Sequence, residues 1–346
     1  KVRIYESEIS HIKFRHAIIA TGSRPTPFPG VPFKKGGRIM NSTGALDLMD
    51  IPSDLLVVGG GYVGLELGSV YSALGSNVSV VELGDRLLTG VDSDLVGPLK
   101  RRLDRSFESI MLETRVTELK EEDKKVMVTF SDNHQQSFER VLVAIGRQPN
   151  TNNLGLEHTG MKLDDQGFII VDEQMHTTDE KIFAIGDVIG GMMLAHKATY
   201  EGKIAAEVLG GEPSAFDARA IPAVVYTDPQ IAYCGLTEEE ARRQNMNIEV
   251  NRFPWKFSGR ATTMDASEGL TKMIIEPETG RILGFGLTGR DAEGLISEGV
   301  RAVEMGALAQ DVALSIHPHP TLSETAMETA EIFTGSATHI ITRKNQ

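Results

Sequence analysis

The glycine-rich segment near residue 60 constrains the fold of this chain more than any other feature of its sequence. An apolar run at residues 55–58 leads into the motif GGGYVG at residues 59–64, and a helical pattern continues to Leu74. A second apolar run at residues 78–81 ends at Glu82. A GxGxxG motif that follows a strand, opens a helix and precedes an acidic residue by about 20 positions predicts a Rossmann-type βαβ unit.

The positions of these glycines predict a dinucleotide site. Gly59 permits the tight turn, Gly61 lets the backbone approach a pyrophosphate, and Gly64 lets the helix and the strand pack closely. The helix N-terminus supplies N–H groups and the positive end of its dipole. Glu82 is placed to bind both adenosine ribose hydroxyls and to repel a 2′-phosphate, and the nearest arginine is Arg86. The pattern therefore favours NAD(H) over NADP(H), with a purely structural βαβ unit as the alternative.

Three other apolar runs also end in a glycine, at residues 14–22, 141–146 and 182–186. Ligands of open α/β sheets bind at the carboxyl ends of such strands. The third run is followed by Asp187 and by a helical pattern from about residue 192 to Leu209. This arrangement offers a carboxylate for a sugar-like hydroxyl and N–H donors for an anionic ring edge. The alternative is purely structural: a hydrogen-bonded aspartate in the core followed by an ordinary helix cap would show the same sequence pattern.

The remaining pattern predicts an antiparallel meander within residues 116–138 and a domain boundary at residues 210–213. Strands such as residues 271–275 follow the boundary, and two helical stretches come later, at residues 290–307 and 321–333. Strands followed by helices indicate an α+β domain, distinct from the α/β part before it.

Composition excludes several classes of partner. The formal net charge is −13 and the longest basic run is residues 100–102, which argues against nucleic acid and against an anionic membrane surface. No stretch of 18 apolar residues is present, so the sequence predicts no membrane span. Cys234 is the only cysteine, which excludes an intrachain disulfide within these residues and fits a reducing cytosol.

The segment HPHPTLSE at residues 317–324 has the parts of an acid–base pair. Its two prolines keep His317 and His319 on a stiff, extended segment, and a helix is expected from Thr321. A carboxylate five residues after His319, at Glu324, can set the tautomer of the imidazole and raise its basicity. The same residues also fit a capping box, in which Glu324 accepts a hydrogen bond from a backbone N–H.

Seven motifs occur together in the order and spacing of the pyridine nucleotide–disulfide oxidoreductases, and this resemblance covers essentially the whole chain. They are ATGSRP, GGGYVGLELG, AIGRQPN, IFAIGDV, MLAHKA, YTDPQIAYCG and HPHPTLSE. Within that family MLAHKA, HPHPTLSE and Glu82 make the chain most similar to the dihydrolipoamide dehydrogenases. The resemblance implies an α/β fold in which a Rossmann-like NAD-binding domain (49–150) is inserted in a partial FAD-binding domain (1–48 and 151–216). An α+β dimerisation domain (217–346) follows.

The resemblance also implies the roles of individual residues. His319 and Glu324 would form the catalytic base, Glu66 would face the flavin side of the nicotinamide pocket, and Tyr62 would cover that pocket. No metal is implied. The residues implied for NAD are Gly59, Gly60, Gly61, Tyr62, Val63, Gly64, Glu66, Glu82, Val116 and Gly146. Those implied for FAD are Thr21, Gly22, Ser23, Asp187, Met193, Leu194, Ala195 and His196.

The function implied is that of a cytoplasmic, homodimeric flavoprotein shared by 2-oxoacid dehydrogenase complexes. Such an enzyme oxidises dihydrolipoamide carried by a lipoyl-bearing acyltransferase and passes hydride to NAD through a disulfide and FAD. Two alternatives stay open from the residues. One is a standalone NAD-binding and dimerisation module without catalysis, and the other is a different disulfide reductase or flavin transhydrogenase of the same fold.

Three features that the resemblance implies are missing from these 346 residues. They are an N-terminal GxGxxG for the FAD pyrophosphate, a CxxxxC redox pair and a lysine that pairs with the glutamate at position 66. The sequence also opens on a strand-like pattern at residues 1–6. We therefore expect a piece of a longer flavoprotein from which about 120 upstream residues are missing, as judged by domain size. We expect this piece to be inactive by itself and not to retain FAD.

Overall fold

The computed structural model describes residues 2–3 and 11–340. They divide into two compact units. The first unit consists of Lys1–Thr26 and Gly146–Ala218, and the second consists of Pro27–Ile145 and Arg219–Gln346. Across the described residues, the helices are too short or too polar to cross a membrane.

The strands are short, from two to eight residues long. Those up to residue 111 are β1 (Val2–Arg3), β2 (His11–Ile12), β3 (Ala17–Ile19), β4 (Ser23–Pro25), β5 (Ile39–Met40), β6 (Asp54–Val58), β7 (Asn77–Val81) and β8 (Ser109–Met111). Those up to residue 184 are β9 (Val116–Glu121), β10 (Val126–Phe130), β11 (Gln135–Phe138), β12 (Arg140–Val143), β13 (Arg147–Pro149) and β14 (Ile182–Ala184). The others are β15 (Ala223–Val225), β16 (Gln230–Gly235), β17 (Glu249–Pro254), β18 (Leu270–Ile275) and β19 (Ile282–Gly289).

The α-helices are more numerous in the second unit than in the first. They are α1 (Ser42–Leu46), α2 (Tyr62–Ala73), α3 (Ser93–Ser106), α4 (Ala195–Leu209), α5 (Glu238–Arg243), α6 (Gly259–Thr263), α7 (Ala292–Glu304), α8 (Ala309–Ala313) and α9 (Glu324–Thr334). Short 3-10 turns occur at Leu156–His158, Gly186–Ile189 and Trp255–Phe257.

The first unit is built from paired strands and helix α4. Strand β3 pairs in parallel with β14, whereas β4 pairs antiparallel with β13. Apolar side chains of α4, among them Ile204, pack against Met175 and Phe183 and anchor the helix beside β14. The predicted helix up to Leu209 is confirmed. The predicted strand at residues 1–6 is observed as β1, which pairs with β2; residues 1 and 4–6 of that prediction lie outside the described residues.

The sheet that carries the glycine turn lies in the second unit. Strands β5, β12, β6, β7 and β8 are hydrogen-bonded in that order and run parallel. Helices α2 and α3 pack on one face through an apolar cluster that includes Leu65, Tyr71 and Leu99. On the other face the antiparallel meander β9–β10–β11 packs through Val126, Val128 and neighbouring residues. The predicted βαβ unit and meander are both confirmed.

The C-terminal part of the second unit is an antiparallel sheet with helices packed on it. The strand order is β15, β16, β19, β18, β17. Helices α7, α8 and α9 contribute to the apolar cluster beneath it, in which Trp255 is fully buried and donates its indole N–H to Thr271 Oγ1 (2.8 Å). The predicted α+β character of this part is therefore confirmed.

Helix α9 begins later than expected, at Glu324 rather than at Thr321. Thr321 instead donates its hydroxyl to the Pro318 carbonyl (2.7 Å) and its N–H to Glu324 Oε2 (2.7 Å). Since side-chain and carbonyl acceptors already satisfy these donors, residues 321–323 form a turn that leads into the helix.

The boundary between the units differs from the predicted end of the first domain at residue 48. The structure places residues 27–48 in the second unit. Strand β5 adds to the parallel sheet beside β12, and α1 contacts α2, where Tyr71 Oη donates to the Ala45 carbonyl (2.7 Å). The division of the whole chain into four parts otherwise stays a prediction.

A buried ion cluster connects the parallel sheet's helix α3 to the C-terminal sheet within the second unit. Lys272 on β18 is 1% exposed, and its Nζ contacts Asp92 Oδ2 (2.8 Å), Asp94 Oδ1 (3.0 Å) and Glu238. Arg252 on β17 pairs with Asp94 and Glu238 as well. Burial raises the carboxyl pKa of Asp94 and Glu238, but Lys272 and Arg252 outweigh it and lower both. The positive charges of Lys272 and Arg252 thus keep the carboxylates of Asp94 and Glu238 ionised.

Replacing Lys272 by Met is expected to lower the free energy of unfolding by about 3–5 kcal/mol at neutral pH, because buried carboxylates lose a partner. Urea unfolding monitored by circular dichroism measures this difference. Lys100→Met is the control, since the Lys100–Asp104 pair is exposed and contributes at most about 1 kcal/mol.

The loss in the free energy of unfolding caused by Lys272→Met should depend on pH. A carboxyl whose folded-state pKa is lowered contributes stability above its unfolded pKa, and this stability is lost as the pH falls through the folded value. The difference in the free energy of unfolding between the unchanged protein and Lys272→Met should therefore become smaller as the pH falls below the ordinary carboxyl pKa values, 3.8 for Asp94 and 4.5 for Glu238. A difference in the free energy of unfolding that stays constant as the pH falls through these values would contradict the role given to Lys272.

Candidate functional site

The glycine turn between β6 and α2 has the geometry of a phosphate cradle. Gly59 has a φ of +112°, and a Cβ there would lie 2.4 Å from the Ala144 carbonyl oxygen. A Cβ at Gly64 would lie 2.2 Å from the Gly59 carbonyl oxygen. At Gly61, by contrast, the Cβ position has no heavy atom within 4 Å among the described residues beyond Gly61 and its chain neighbours. Packing therefore requires two of the glycines, and the third leaves the N-terminus of α2 open to a ligand.

Glu82 lies at the end of β7, beside this turn. Its Oε2 accepts the Gly60 N–H (2.6 Å) and its Oε1 accepts the Gly84 N–H (2.7 Å). A carboxylate has about four lone-pair positions, so acceptor capacity remains for ribose hydroxyls. The backbone thus holds the negative charge that the sequence analysis assigned to adenosine recognition.

The other residues predicted for NAD are distributed around the turn and beyond it. Tyr62 and Val63 open helix α2. Val116, at the start of β9, packs in the same apolar cluster as Val58 and Val81, which end β6 and β7. Gly146 begins the second segment of the first unit with a φ of +120°. Its assignment to NAD stays a prediction.

Glu66 lies one turn into α2 and is partly buried. Its Oε1 accepts the backbone N–H of Tyr226 (2.8 Å). Burial raises the pKa of the Glu66 carboxyl, and the Tyr226 N–H only partly offsets this effect. A carboxyl with a raised pKa is suited to hold or exchange a proton, which agrees with a position next to reacting groups.

In the first unit, the residues predicted for FAD group at the ends of β3 and β14. Gly22 has a φ of +69°, and its Cβ position has no heavy atom within 4 Å among the described residues beyond Gly22 and its chain neighbours. Thr21 Oγ1 donates to the Asn150 carbonyl (2.9 Å), which fixes the backbone beside this open surface. Met193 and Leu194 precede helix α4, which begins with Ala195 and His196. Because the N-cap Leu194 has an apolar side chain, it offers no acceptor to the first-turn N–H groups.

Asp187 is held by its neighbours in the first unit. Ser23 Oγ donates to Asp187 Oδ2 (2.5 Å), and Arg147 Nε donates to the same Ser23 hydroxyl (2.6 Å). Arg147 Nε itself lies 3.9 Å from Asp187 Oδ2. The structure therefore brings Ser23 and Asp187 together, and it adds Arg147, which the sequence analysis did not assign to this site.

His319 and Glu324 form the pair that their spacing predicts. His319 Nδ1 lies 2.9 Å from Glu324 Oε1, and the imidazole is largely exposed. Glu324 also accepts the Thr321 N–H, so one carboxylate contacts both the imidazole and the turn before the helix. Because α9 begins at Glu324 with Ser323 as its N-cap, this contact is not the capping box that the sequence also allowed. Burial raises the pKa of Glu324, but the Thr321 N–H and His319 outweigh this and lower it. The carboxylate directs the Nδ1 proton and leaves Nε2 to act as the base.

His317 has partners that the sequence did not reveal. Its Nδ1 contacts the Ser315 carbonyl (2.9 Å) and its Nε2 contacts Glu298 Oε1 on α7 (2.7 Å). The ring is nearly buried, at 8% side-chain exposure. Both ring nitrogens face acceptors, which fixes the orientation of the segment immediately before His319. A partner 19 positions away leaves no local pattern from which it could be found.

The thiol of Cys234 is unsuited to nucleophilic or redox chemistry. Cys234 is buried in β16, and burial raises the pKa of its thiol to about 12. A thiol with this pKa is protonated at neutral pH and is a poor nucleophile. Cys234 is therefore a small buried residue of the sheet.

Two family patterns match consecutive parts of the chain. Residues 2–202 match the pattern described as pyridine nucleotide-disulphide oxidoreductase, and residues 221–330 match the dimerisation domain of the same family. The chain belongs to the pyridine nucleotide–disulphide oxidoreductase family. The predicted fold class is confirmed with it, and the second match supports dimerisation through the C-terminal part.

Proteins similar to this chain include dihydrolipoyl dehydrogenases from several organisms. The one from Haemophilus influenzae is 45% identical, over 95% of this chain and 69% of that protein. The one from Vibrio parahaemolyticus is 43% identical, over 98% of this chain and 72% of that protein. The predicted resemblance to this branch of the family is therefore confirmed.

Solved structures agree with this placement. LpdA from Mycobacterium tuberculosis superposes with a TM-score of 0.86 at 28% identity, over 92% of this chain and 69% of that chain. The HOCl-induced flavoprotein disulfide reductase RclA from Escherichia coli gives a TM-score of 0.83 at 30% identity, over 91% of this chain and 73% of that chain.

Membership of the family implies FAD and NAD as cofactors. The residues present fit both groups. The open backbone at Gly61 and the carboxylate of Glu82 suit a pyrophosphate and a ribose. In the first unit, the open backbone at Gly22, the Asp187 carboxylate and the N-terminus of α4 suit a flavin and its ribityl chain.

We expect the protein to bind NADH at least about tenfold more tightly than NADPH, because Glu82 opposes a 2′-phosphate. Calorimetric titration of nucleotide-free protein with each nucleotide measures the ratio. Glu82→Ala should bring the two affinities closer together, and it should also weaken NADH binding, since Gly60 and Gly84 lose their acceptor.

Glu108→Ala, which changes an exposed carboxylate just before β8, is the matched control and should leave the ratio unchanged. Equal affinities in the parent protein, or a preference for NADPH, would refute the role of Glu82.

Proposed function

We propose that the chain belongs to a dihydrolipoamide dehydrogenase that oxidises protein-bound dihydrolipoamide and reduces NAD. The observation that carries this proposal is the His319–Glu324 pair, with Nδ1 held at 2.9 Å from the carboxylate and Nε2 directed away from it. Such a base serves a reaction that begins by removing a proton from a thiol. The proposal agrees with the names of the similar curated proteins.

The overall reaction releases two electrons and two protons from the dithiol as its two sulfurs form a disulfide. NAD accepts the electrons with one proton as hydride, and the other proton goes to solvent. His319 Nε2 takes the thiol proton, and the Glu324 carboxylate stabilises the imidazolium that forms. Glu82 and the glycine turn hold NAD, while Asp187 and the N-terminus of α4 hold FAD. When bound, FAD supplies the two-electron carrier between sulfur and nicotinamide.

The partners follow from the same proposal. The dithiol substrate is a lipoyl group carried by the acyltransferase of a 2-oxoacid dehydrogenase complex, and the protein acts in the cytoplasm. No redox disulfide is assigned within these 346 residues, since Cys234 is buried and is their only cysteine. The 346-residue chain by itself therefore remains predicted to be inactive.

The test is turnover by the protein in its full natural length, loaded with FAD. It should reduce NAD with dihydrolipoamide, and it should not reduce glutathione disulfide with NADPH. His319→Gln should lower turnover by at least about 100-fold, because the base is lost, while NADH affinity stays unchanged.

His158→Gln is the control, since that histidine is exposed and belongs to a 3-10 turn of the first unit. Full activity of His319→Gln would refute the assigned base. Reduction of glutathione disulfide, or NAD binding without any turnover, would instead favour another reductase or a binding module.

A second experiment tests whether the base serves the partner subunit of the dimer. One variant is His319→Ala, and the other is Gly61→Asp. The Cβ of the aspartate meets no residue beyond its chain neighbours within 4 Å, and its carboxylate is expected to repel the pyrophosphate. Each should be inactive when pure. If each site combines cofactors from one chain with His319 from the other, mixed dimers contain one intact site.

Random subunit exchange gives about half mixed dimers, so about a quarter of the parent activity should return. Exchange is verified by native mass spectrometry of tagged chains. Complete exchange without recovered activity would place His319 and the cofactors of one site on the same chain.

A further inference from the structure

Helix α4 of the first unit carries a buried ion pair whose role is not explained by the residues assigned to FAD. Lys197 and Glu201 are one turn apart and pair through Glu201 Oε1. Their side chains are 9% and 2% exposed. Burying two charges is costly, and well-packed apolar residues often replace such a pair without loss of stability. Stability is therefore a weak explanation for this pair, and its contacts supply a better one.

Both charged groups hold the turn that presents Asp187. Glu201 Oε2 accepts the Gly186 N–H (2.7 Å), at the residue immediately before Asp187. Lys197 Nζ donates to the Gly190 carbonyl (3.2 Å), at the residue after the 3-10 turn Gly186–Ile189. The two ends of the turn are therefore attached to successive turns of the same helix.

The backbone of this turn needs such support. Gly186 and Gly190 have φ values of +76° and +79°, and glycine has a large conformational freedom when it is not held. A Cβ at Gly186 would approach the Ala198 side chain to 3.2 Å, so the turn lies directly against α4. The charge-assisted hydrogen bond that the Gly186 N–H donates to the Glu201 carboxylate is stronger than a neutral one and fixes the turn on the helix.

We propose that Glu201 is a positioning residue for FAD, with Lys197 as its counter-ion. It holds the Gly186 N–H so that the Asp187 carboxylate is available to the flavin's ribityl hydroxyls, while the Ser23 hydroxyl donates to the same carboxylate. This role rests on the proposed assignment of Asp187 to FAD. Glu201 itself touches neither the cofactor nor the substrate; it acts through the position of Asp187.

The test compares two double variants of the protein in its full natural length. Lys197→Met with Glu201→Leu removes both charges and the acceptor for Gly186. Lys197→Met with Glu201→Gln removes both charges but keeps an amide oxygen as acceptor. Neither variant leaves an unpaired buried charge, so both should fold, and thermal unfolding of the apoprotein checks this. The dissociation constant of FAD is measured by quenching of flavin fluorescence.

We expect the Met/Leu variant to bind FAD about tenfold more weakly and the Met/Gln variant to recover most of this loss. Glu207→Gln, the same change at an exposed site of α4, should have no effect. In an Asp187→Ala background the Met/Leu change should cost less than about twofold, because the residue through which Glu201 acts is gone.

Unchanged FAD affinity in the folded Met/Leu variant would overturn the proposal. An equal loss with and without Asp187 would overturn it too, since Glu201 would then act on the fold in general. The proposed FAD site is tested separately by Asp187→Ala alone. If that change weakens FAD binding and the Met/Leu change does not, the positioning role fails and the FAD site stands.

Discussion

The close approach of two backbones at the glycine turn is the constraint on which the NAD-binding half depends. A Cβ at Gly64 would lie 2.2 Å from the Gly59 carbonyl oxygen, and one at Gly59 would lie 2.4 Å from that of Ala144. Any side chain at these positions would separate α2 from β6, or β6 from the end of β12. The N-terminus of α2 is therefore aimed by packing and not by the ligand. A site whose donors are fixed before binding loses little conformational freedom when the dinucleotide arrives.

Backbone N–H groups position the acidic side chains in both units. Glu82 and Glu66 in the second unit each accept peptide N–H donors, and so does Glu201 in the first. Glu324 does the same at the start of α9. A peptide donor loses no side-chain entropy when it forms the bond, so it orients a carboxylate at low cost. Each carboxylate still has lone pairs left over for a ribose, a lysine or a histidine.

The sequence predicted the parts of the fold that local patterns encode. Alternating and helical periodicities located the parallel sheet, the meander and the C-terminal sheet, and a spacing of five residues located His319 and Glu324. It did not predict that residues 27–48 join the second unit, because β5 is two residues long and its pairing partner lies about a hundred positions away. It could not reveal the Lys272–Asp92 contact, which joins residues 180 positions apart. Contacts between residues so far apart in the sequence depend on tertiary packing, and they produce no periodic pattern in the local sequence.

The two roles of Glu324, as acceptor for the Thr321 N–H and as partner of the base, support each other physically. The positive end of the α9 dipole disfavours an imidazolium next to it. Glu324, the first residue of that helix, places a negative charge between the helix end and His319. The Thr321 N–H and His319 lower its pKa below the ordinary 4.5 despite partial burial, so the carboxylate stays ionised at neutral pH. The backbone contact thus maintains the charge that stabilises the imidazolium. The backbone contact in the turn before α9 is therefore part of the acid–base pair.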